Sequence, residues 1–274
     1  MTTEVVAGML GEIQAISTAD GGTALTTTAG HIQFPAISEA GKTMNGHIFI
    51  TPRNFATAVV AKFKLNPWLT VLKTTDAMAT VPTDYSLAAQ DSAAGTDVTL
   101  SSLNTVANGD WVLIGSHEKF RGFYCDVDGT NSTASVTATV SEWRGSWVDS
   151  SDTDGTSGST ALDQDGLIYW TPSTTWQKVS FRTLYPQITA TNYYSDIPMY
   201  WVRYEVDKAI DSSVTLNSLV SANRDTHYAE LVLMQKLEER INWGFDGFGN
   251  IEALTNAGTA SLIVNVATIR EGAF

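Results

Sequence analysis

The chain has 274 residues, of which 43% are hydrophobic and only 16% are charged, and its formal net charge is −13. This length suits one large domain or two small ones. The excess of negative charge repels phosphate backbones, so we expect no nucleic-acid partner. No apolar run reaches the roughly 18 residues of a membrane-spanning helix, so we expect no membrane partner either.

The first 81 residues are predicted to be an N-terminal arm followed by a β segment. Residues 1–46 are short apolar runs separated by Gly, Thr and Ser clusters, a pattern typical of an extended arm that does not fold alone. Strand signals follow at 47–50, 58–65 and 68–73, with a turn at Asn66-Pro67. We expect this arm to lie against another surface and to supply assembly contacts.

Residues 82–224 carry the most regular pattern and are predicted to form a β-sandwich domain. Eight predicted strands follow one another: Val98–Leu103, Asp110–Ile114, Phe120–Cys125, Ala134–Trp143, Leu167–Trp170, Lys178–Phe181, Met199–Val206 and Val214–Leu219. Turn signals lie between them: Asn108-Gly109, Asp128-Gly129, Arg144-Gly145, Asp154-Gly155 and Asp165-Gly166. Such pairs are typical of hairpin turns that require positive φ. Short strands with frequent turns predict an all-β, jelly-roll-like sandwich.

The last segment, residues 225–274, is predicted to combine a helix or a strand with a β-hairpin. The apolar spacing between His227 and Trp243 fits one short helix, but the run that begins at Tyr228 fits a strand equally well. Residues 250–255 and 261–269 flank a turn at 256–258 and are predicted to close the fold as a hairpin.

Motifs for catalysis are missing from the sequence. There is no P-loop, no nucleophile elbow and no His-Glu-x-x-His zinc motif. The single cysteine, Cys125, lies in an apolar run and is predicted to be a buried thiol. The start of the chain lacks the regions of a signal peptide, so we expect synthesis in a cytoplasm. Because the catalytic motifs are missing, we predict a protein that is not an enzyme.

Two acidic turns are the best candidates for a bound ion. A D-x-D-G pattern occurs twice, with Asp126 and Asp128 in the first copy and Asp152 and Asp154 in the second. Calcium prefers several oxygen ligands, so these four aspartates are candidate ligands of a structural calcium ion. The favoured interpretation is that they stabilise glycine-containing turns by accepting backbone hydrogen bonds. Apart from this possible calcium, we expect no cofactor.

Aromatic residues concentrate between Trp143 and Trp201. Trp170 and Trp201 lie in strand patterns and are predicted to be core. Trp147 and Trp176 lie beside turns and are predicted to be exposed, where flat rings could stack on sugars. These two residues define the alternative hypothesis, a carbohydrate- or host-receptor-binding module.

A series of turn and aromatic landmarks extends from Pro82 to Arg224. In order they are Thr83-Asp84-Tyr85, Asn108 to Ser116, Phe120 to Phe123, Asn131 to Ser135, Glu142 to Trp147, Asp154 to Thr156, Gln164 to Trp170, Trp176, Tyr200 to Arg203 and Val214 to Leu219. This order resembles a β-sandwich module of structural proteins in tailed-bacteriophage virions.

That resemblance implies a virion component: a capsid decoration, neck or tail protein that acts by protein–protein assembly. Its expected partners are further copies of itself, in a homo-oligomer for which analogy suggests a trimer, and other virion proteins such as major capsid or tail proteins. The expected location is the virion, and no residue is expected to be catalytic.

Overall fold

A computed structural model of the chain describes residues 10–15, 23–27, 30–33, 46–53, 61–91, 95, 97–221, 229–231, 241–245 and 248–269. In this part of the chain the regular secondary structure is antiparallel β-sheet, accompanied by very short helices. The predicted all-β class is confirmed. Of the segment that fits a helix or a strand, Ala229–Leu231 is a strand, and residues 232–240 lie outside the described residues.

The strands are numbered in chain order. They are β1 Leu10–Ala15, β2 Thr23–Leu25, β3 Gly30–Gln33, β4 Gly46–Arg53, β5 Ala61–Pro67, β6 Thr70–Thr74, β7 Thr83–Asp84, β8 Val98–Thr99, β9 Trp111–Ser116, β10 Gly122–Val127, β11 Ala138–Trp143, β12 Trp147–Asp149, β13 Thr153–Asp154, β14 Gly166–Tyr169, β15 Lys178–Ser180, β16 Pro198–Val206, β17 Thr215–Ser221, β18 Ala229–Leu231, β19 Ile241–Phe245, β20 Phe248–Thr255 and β21 Ala260–Ile269. The helices are α1 Ala88–Asp91, a 3₁₀ turn at Val106–Asn108, and α2 Phe181–Leu184.

The chain divides into two compact units. Unit 1 contains residues 1–66 and 225–274, and unit 2 contains residues 67–224. Unit 2 therefore begins earlier than the predicted boundary at residue 82. The reason is β6, which lies in the predicted N-terminal segment but pairs with β9 from Thr70↔Gly115 to Thr74↔Trp111.

Unit 2 is a sandwich of two sheets. The minor sheet has the order β13-β14-β10-β17-β8, and the major sheet has the order β12-β11-β16-β9-β6-β7, with β15 also paired to β16. Apolar side chains of both sheets form one buried cluster between them, including Val71, Ile114, Phe123, Leu216 and Val202. This cluster is the main core of unit 2.

Strand β16 shows how the sequence builds two cores on one sheet. Alternate side chains point to opposite faces of a strand. Val202 and Tyr204 face the core between the sheets, whereas Met199 and Trp201 face a second cluster on the outer face of the major sheet. Residues of the 181–197 segment, Phe181, Tyr185, Ile188 and Tyr194, cover that outer face. The major sheet is therefore buried on both sides over much of its area.

Unit 1 joins strands from the two ends of the chain. Strand β21 pairs with β4 along one edge and with β1 and β2 along the other, from Leu10↔Ile269 to Leu25↔Ala260. Strand β3 pairs with β20. The described strands of the predicted arm thus find partners in the C-terminal segment of the same chain. A long strand rich in β-branched residues, such as β21, offers two edges for this pairing.

The predicted closing hairpin differs in its pairing. The turn at 256–258 is present, with Gly258 at φ 65°. However, β20 lies in the sheet β18-β5-β20-β3, whereas β21 lies in the sheet β1-β21-β4-β19. The turn therefore connects two sheets, and the strands that flank it pair with partners remote in sequence.

The glycines of the predicted turns serve two purposes. Gly109 and Gly145 have φ of 82° and 90°, as the turn interpretation requires. Gly129 and Gly166 do not adopt positive φ. A Cβ on Gly129 would lie 1.7 Å from the Ser213 carbonyl oxygen, and one on Gly166 would lie 2.1 Å from that of Gly155. Gly155 likewise lacks positive φ, and its Cβ would lie 2.5 Å from the Leu167 carbonyl oxygen. At these three positions the prediction was wrong, because glycine permits close backbone contact there.

Candidate functional site

The aspartates predicted to bind calcium accept hydrogen bonds from neighbouring protein groups. Asp154 Oδ1 accepts from the backbone N–H and the hydroxyl of Thr156, at 2.8 and 2.6 Å. Asp126 Oδ1 accepts from the side-chain amide of Asn217 at 3.4 Å, and Asp128 is exposed. The turn interpretation is confirmed for Asp154. Over the described residues, no three acidic, His or Cys side chains are grouped closely enough to hold a metal ion.

Asp152 is a half-buried carboxylate. Its Oδ1 accepts from the backbone N–H of Val140 at 2.8 Å. Burial raises the pKa of Asp152, the hydrogen bond from Val140 opposes that rise, and the charges of Asp154 and Asp149 add to it. The hydrogen bond from Val140 fixes the loop to β11, but burial makes the charged form of the Asp152 carboxylate less favourable than it is in water.

The two tryptophans of the sugar-platform hypothesis lie on different faces of the major sheet. Trp176 is only 3% exposed, and its Nε1 donates to the Trp201 carbonyl at 3.0 Å. Its ring packs between the sheets against Phe120, so the predicted exposure of Trp176 was wrong. Trp147 is half-buried and packs on the outer face. The two rings cannot form one platform. The predicted core positions of Trp170 and Trp201 are confirmed.

Glu142 is a completely buried carboxylate with a full set of partners. Its Oε1 accepts from Trp170 Nε1 at 2.9 Å and from the Ser173 N–H at 3.1 Å. Its Oε2 accepts from Arg144 Nε at 2.9 Å and pairs with Arg144 Nη2 at 2.7 Å. Because a buried charge is stable only when it is paired and hydrogen-bonded, this arrangement indicates a structural role.

A group of aromatic and charged side chains lies on the outer face of the major sheet. We call it the outer cluster; its members are Trp111, Trp147, Tyr185, Arg203 and Glu205. The guanidinium carbon of Arg203 lies 5.0 Å from the ring centroid of Trp111 and 5.3 Å from that of Trp147. Arg203 also forms an ion pair with Glu205. These distances are those of cation–π contacts, so two indole rings flank one cation.

Three strands and the covering segment position the outer cluster. Trp111 is the first residue of β9, Arg203 and Glu205 lie on β16, and Trp147 begins the edge strand β12. Arg203 follows Met199 and Trp201 at the strand period of two, which directs its side chain to the outer face. Tyr185 follows α2 and packs on Phe181 with ring centroids 5.3 Å apart.

The polar atoms of the outer cluster are buried next to one another. Trp111 is 7% exposed and Tyr185 is 8% exposed. Among the described residues, the Trp111 indole N–H and the Tyr185 hydroxyl make no hydrogen bond of ideal geometry, but the indole N–H groups of Trp111 and Trp147 lie close enough to the Tyr185 hydroxyl to act on it as donors. Because an unpaired buried polar group costs about 1–3 kcal/mol, these contacts inside the cluster stabilise the fold.

The same burial alters the ionisation of the cluster. Burial raises the pKa of Tyr185 to about 12, although the positive charge of Arg203 and the nearby indole N–H groups oppose the rise. Burial also lowers the pKa of the Arg203 guanidinium, and this is opposed by Tyr185. At neutral pH Tyr185 is therefore a neutral hydroxyl that can both donate and accept a hydrogen bond.

The sequence prediction identified only one member of the outer cluster, Trp147. A signal for Arg203 was available, because it lies in a strand pattern on the same face as Trp201. Tyr185 gave no such signal, since it comes from a loop that covers the sheet and only tertiary structure brings it there.

The two units differ at their sheet edges. In unit 2 the edge strands are β13, β8 and β7, with two residues each, and β12 and β15, with three each. In unit 1 one sheet ends in β1 and β19, with six and five residues. In the described part of the chain, no strand pairs with the outer edge of β1 or β19. Such edges carry backbone groups that can pair with another chain.

Comparison with models of protein families, with curated protein sequences and with solved structures finds no match to this chain. Within the described ranges, every helix is too short or too polar to cross a membrane.

Proposed function

We propose that the chain is a structural component of a bacteriophage virion, a capsid decoration, neck or tail protein, and that it acts by protein–protein assembly without catalysis. The sandwich class of unit 2 and the order of its landmarks support this proposal, together with the low charged fraction of the chain. The partners are other copies of the chain, in a trimer by analogy, and neighbouring virion proteins.

The observation that carries the proposal is the contrast between the sheet edges. Natural β proteins limit edge-to-edge association by keeping edge strands very short, and unit 2 follows that rule. Among the described strands of unit 1, β1 and β19 are two longer edges. Addition of a strand from another chain to such an edge is a common mode of assembly, because the main-chain hydrogen bonds supply the affinity.

The polar groups of unit 2 support a role without catalysis. The carboxylate oxygens of Glu142 already accept hydrogen bonds from Trp170, Ser173 and Arg144. Burial raises the pKa of the Cys125 thiol far above neutrality, and nearby aspartate charges add to this effect. The thiolate is the reactive form of cysteine, so Cys125 is a poor nucleophile.

Edge substitutions test the proposal by solution mass. Asn242→Lys places a charge at the second residue of β19, and Gln14→Lys places a charge at the fifth residue of β1. If assembly uses these edges, light scattering after size exclusion will show an oligomer for the wild type and a lower mass for one of the variants. Thr153→Lys, on the edge strand β13 of unit 2, is the matched control and should leave the mass unchanged. A monomeric wild type, or an oligomer that all three substitutions leave intact, would contradict assembly through unit 1.

Electron microscopy of the purified oligomer then distinguishes a closed symmetric ring, which the proposal requires, from open aggregates.

A further inference from the structure

One sheet of unit 1 carries two long edge strands at its opposite ends. Its strands follow the order β1-β21-β4-β19, and neither β1 nor β19 has an outer partner among the described strands. These edge strands have six and five residues, whereas β18 and β3, the edge strands of the other sheet of unit 1, have three and four. Because short edge strands limit pairing with another chain, the sheet that ends in β1 and β19 is the better suited of the two to extension.

The directions of the strands make these two edges complementary. Every neighbouring pair in the path is antiparallel, and the path has four strands, so β1 and β19 run in opposite directions. A second copy that is rotated about an axis along the strands keeps these directions. Its β1 therefore lies antiparallel to the β19 of the first copy, and the alternation continues across the junction. A path with an odd number of strands would instead meet its copy in parallel, which is slightly less stable.

We propose, on the basis of the assembly proposed above, that β19 of one copy pairs with β1 of the next, so that the sheet continues head to tail around a closed ring. Head-to-tail contacts form rings when the rotation between copies closes, and the proposed trimer is such a ring. Pairing of like edges, β1 with β1 and β19 with β19, closes only with an even number of copies. Head-to-tail pairing thus covers both edges in every copy of a trimer, which pairing of like edges cannot do.

The register of β1 places the junction within that strand. The pairing of β1 with β21 shifts between Leu10 and Ile13, as at a β-bulge, and is regular from Ile13 to Ala15. A bulge bends its strand and disrupts the ladder locally. By contrast, β19 pairs with β4 over all five of its residues without a shift. We therefore expect the regular part of β1, centred on Gln14, to pair with β19 of the neighbouring copy.

Two single substitutions on the full chain block one edge each. Gln14→Lys blocks the β1 edge and leaves β19 open, and Asn242→Lys does the reverse. In a head-to-tail ring each variant alone loses every junction, so light scattering after size exclusion should give the mass of one chain for both. An equimolar mixture should give the mass of two chains, because the open β19 of one variant pairs with the open β1 of the other. Pairing of like edges predicts instead that a variant alone is a dimer through its unblocked edge.

The double variant Gln14→Lys/Asn242→Lys is the matched control for the mixture. It carries the same added charges but has neither edge open, so it should not associate with either single variant. An oligomeric wild type with a dimeric single variant would overturn head-to-tail pairing and leave assembly through unit 1 standing. A monomeric wild type, or single variants with the mass of the wild-type oligomer, would overturn both proposals.

Cross-linking tests the same junction without an added charge, in case a lysine unfolds its strand. A tagged Gln14→Cys chain is co-expressed with an untagged Asn242→Cys chain, and the assembly is treated with a bismaleimide that has a flexible spacer. The native Cys125 does not compete, because it is 1% exposed and burial raises the pKa of its thiol. Head-to-tail pairing predicts covalent products between tagged and untagged chains. Products between like chains only, or no product, would overturn it.

Discussion

Unit 2 takes all of its strands from one continuous stretch of 158 residues, 67–224, whereas unit 1 pairs strands from opposite ends of the chain. In unit 2 the hairpin of β11 and β12 pairs Trp143 with Trp147, four positions away. In unit 1 the pairing of β1 and β21 joins Leu10 to Ile269. The two units thus use the same strand chemistry with very different sequence separation.

This difference in pairing means that unit 2 contains all the strands it needs to fold, whereas unit 1 depends on both ends of the chain. Both hydrophobic clusters of unit 2 are made of residues between Leu69 and Leu219, so unit 2 carries its own core. Unit 1 has no complete sheet until both chain ends are present, since β21 supplies the partner for β1, β2 and β4. Contacts between distant residues close long loops, which costs entropy and slows folding. We expect unit 2 to form first and unit 1 to be the less stable of the two.

The largest effect should follow from cutting the chain at the unit boundaries. A fragment of residues 67–224 is expected to fold alone, with a cooperative melting transition and dispersed amide resonances. A fragment of residues 1–66 is expected to stay unfolded, because its described strands pair mainly with strands of the C-terminal segment.

Adding residues 225–274 as a separate peptide is the natural control, because it restores the missing partners. A folded 1–66 fragment, or an unfolded 67–224 fragment, would break the contrast between the two units.

A smaller but still large effect should follow from removing the buried carboxylate of unit 2. Glu142→Ala leaves the Trp170 N–H, the Ser173 N–H and the Arg144 guanidinium without their acceptor. Loss of one partner of a buried charge pair costs about 3–5 kcal/mol. For a unit of this size the melting temperature should fall by roughly 10 °C.

Glu118→Ala removes an exposed carboxylate from the same unit and serves as the control for loss of charge. If calorimetry gave both variants the same small shift, the Glu142 network would not be part of what makes unit 2 self-sufficient.

Much of unit 2 could be predicted from its sequence because its signals are local. All eight predicted strands overlap observed ones, and the predicted strand Met199–Val206 matches β16 to within one residue. The end of the predicted strand at Phe181 differs, because Ser180 caps α2 by accepting from the Thr183 N–H at 3.2 Å. Unit 1 was harder, since strand signals exist at both chain ends but no local pattern says that they pair with each other.

The candidate site was less predictable for the same physical reason. Trp147 was selected by its position beside a turn, and that argument also selected Trp176, which the fold buries. Exposure depends on what packs over a side chain, and here that is decided by loops such as 171–177 and 181–197. The packing of Trp111 and Tyr185 against Arg203 on the outer face is a tertiary property that sequence does not carry.

The smallest effect concerns the acidic turns, and it tests whether the self-sufficiency of unit 2 depends on a cation. Burial raises the pKa of Asp152, so the folded state holds its proton more tightly than the unfolded state does. The stability that Asp152 contributes is therefore fully present at pH values below its pKa in the unfolded chain, which is near 4. That contribution is lost as the pH rises through the higher pKa of Asp152 in the folded protein. Asp152→Asn removes that titration but keeps an oxygen to accept from Val140.

The variant should be more stable than the wild type at pH 7 by less than about 1 kcal/mol, and the difference should disappear near pH 3. Melting in calcium and in chelator decides between the two interpretations of the turn. Because Asp154 is already committed to Thr156, equal midpoints are expected for the wild type. A calcium ion bound by Asp152 would instead lower its pKa, raise the wild-type midpoint in calcium and make Asp152→Asn the less stable protein.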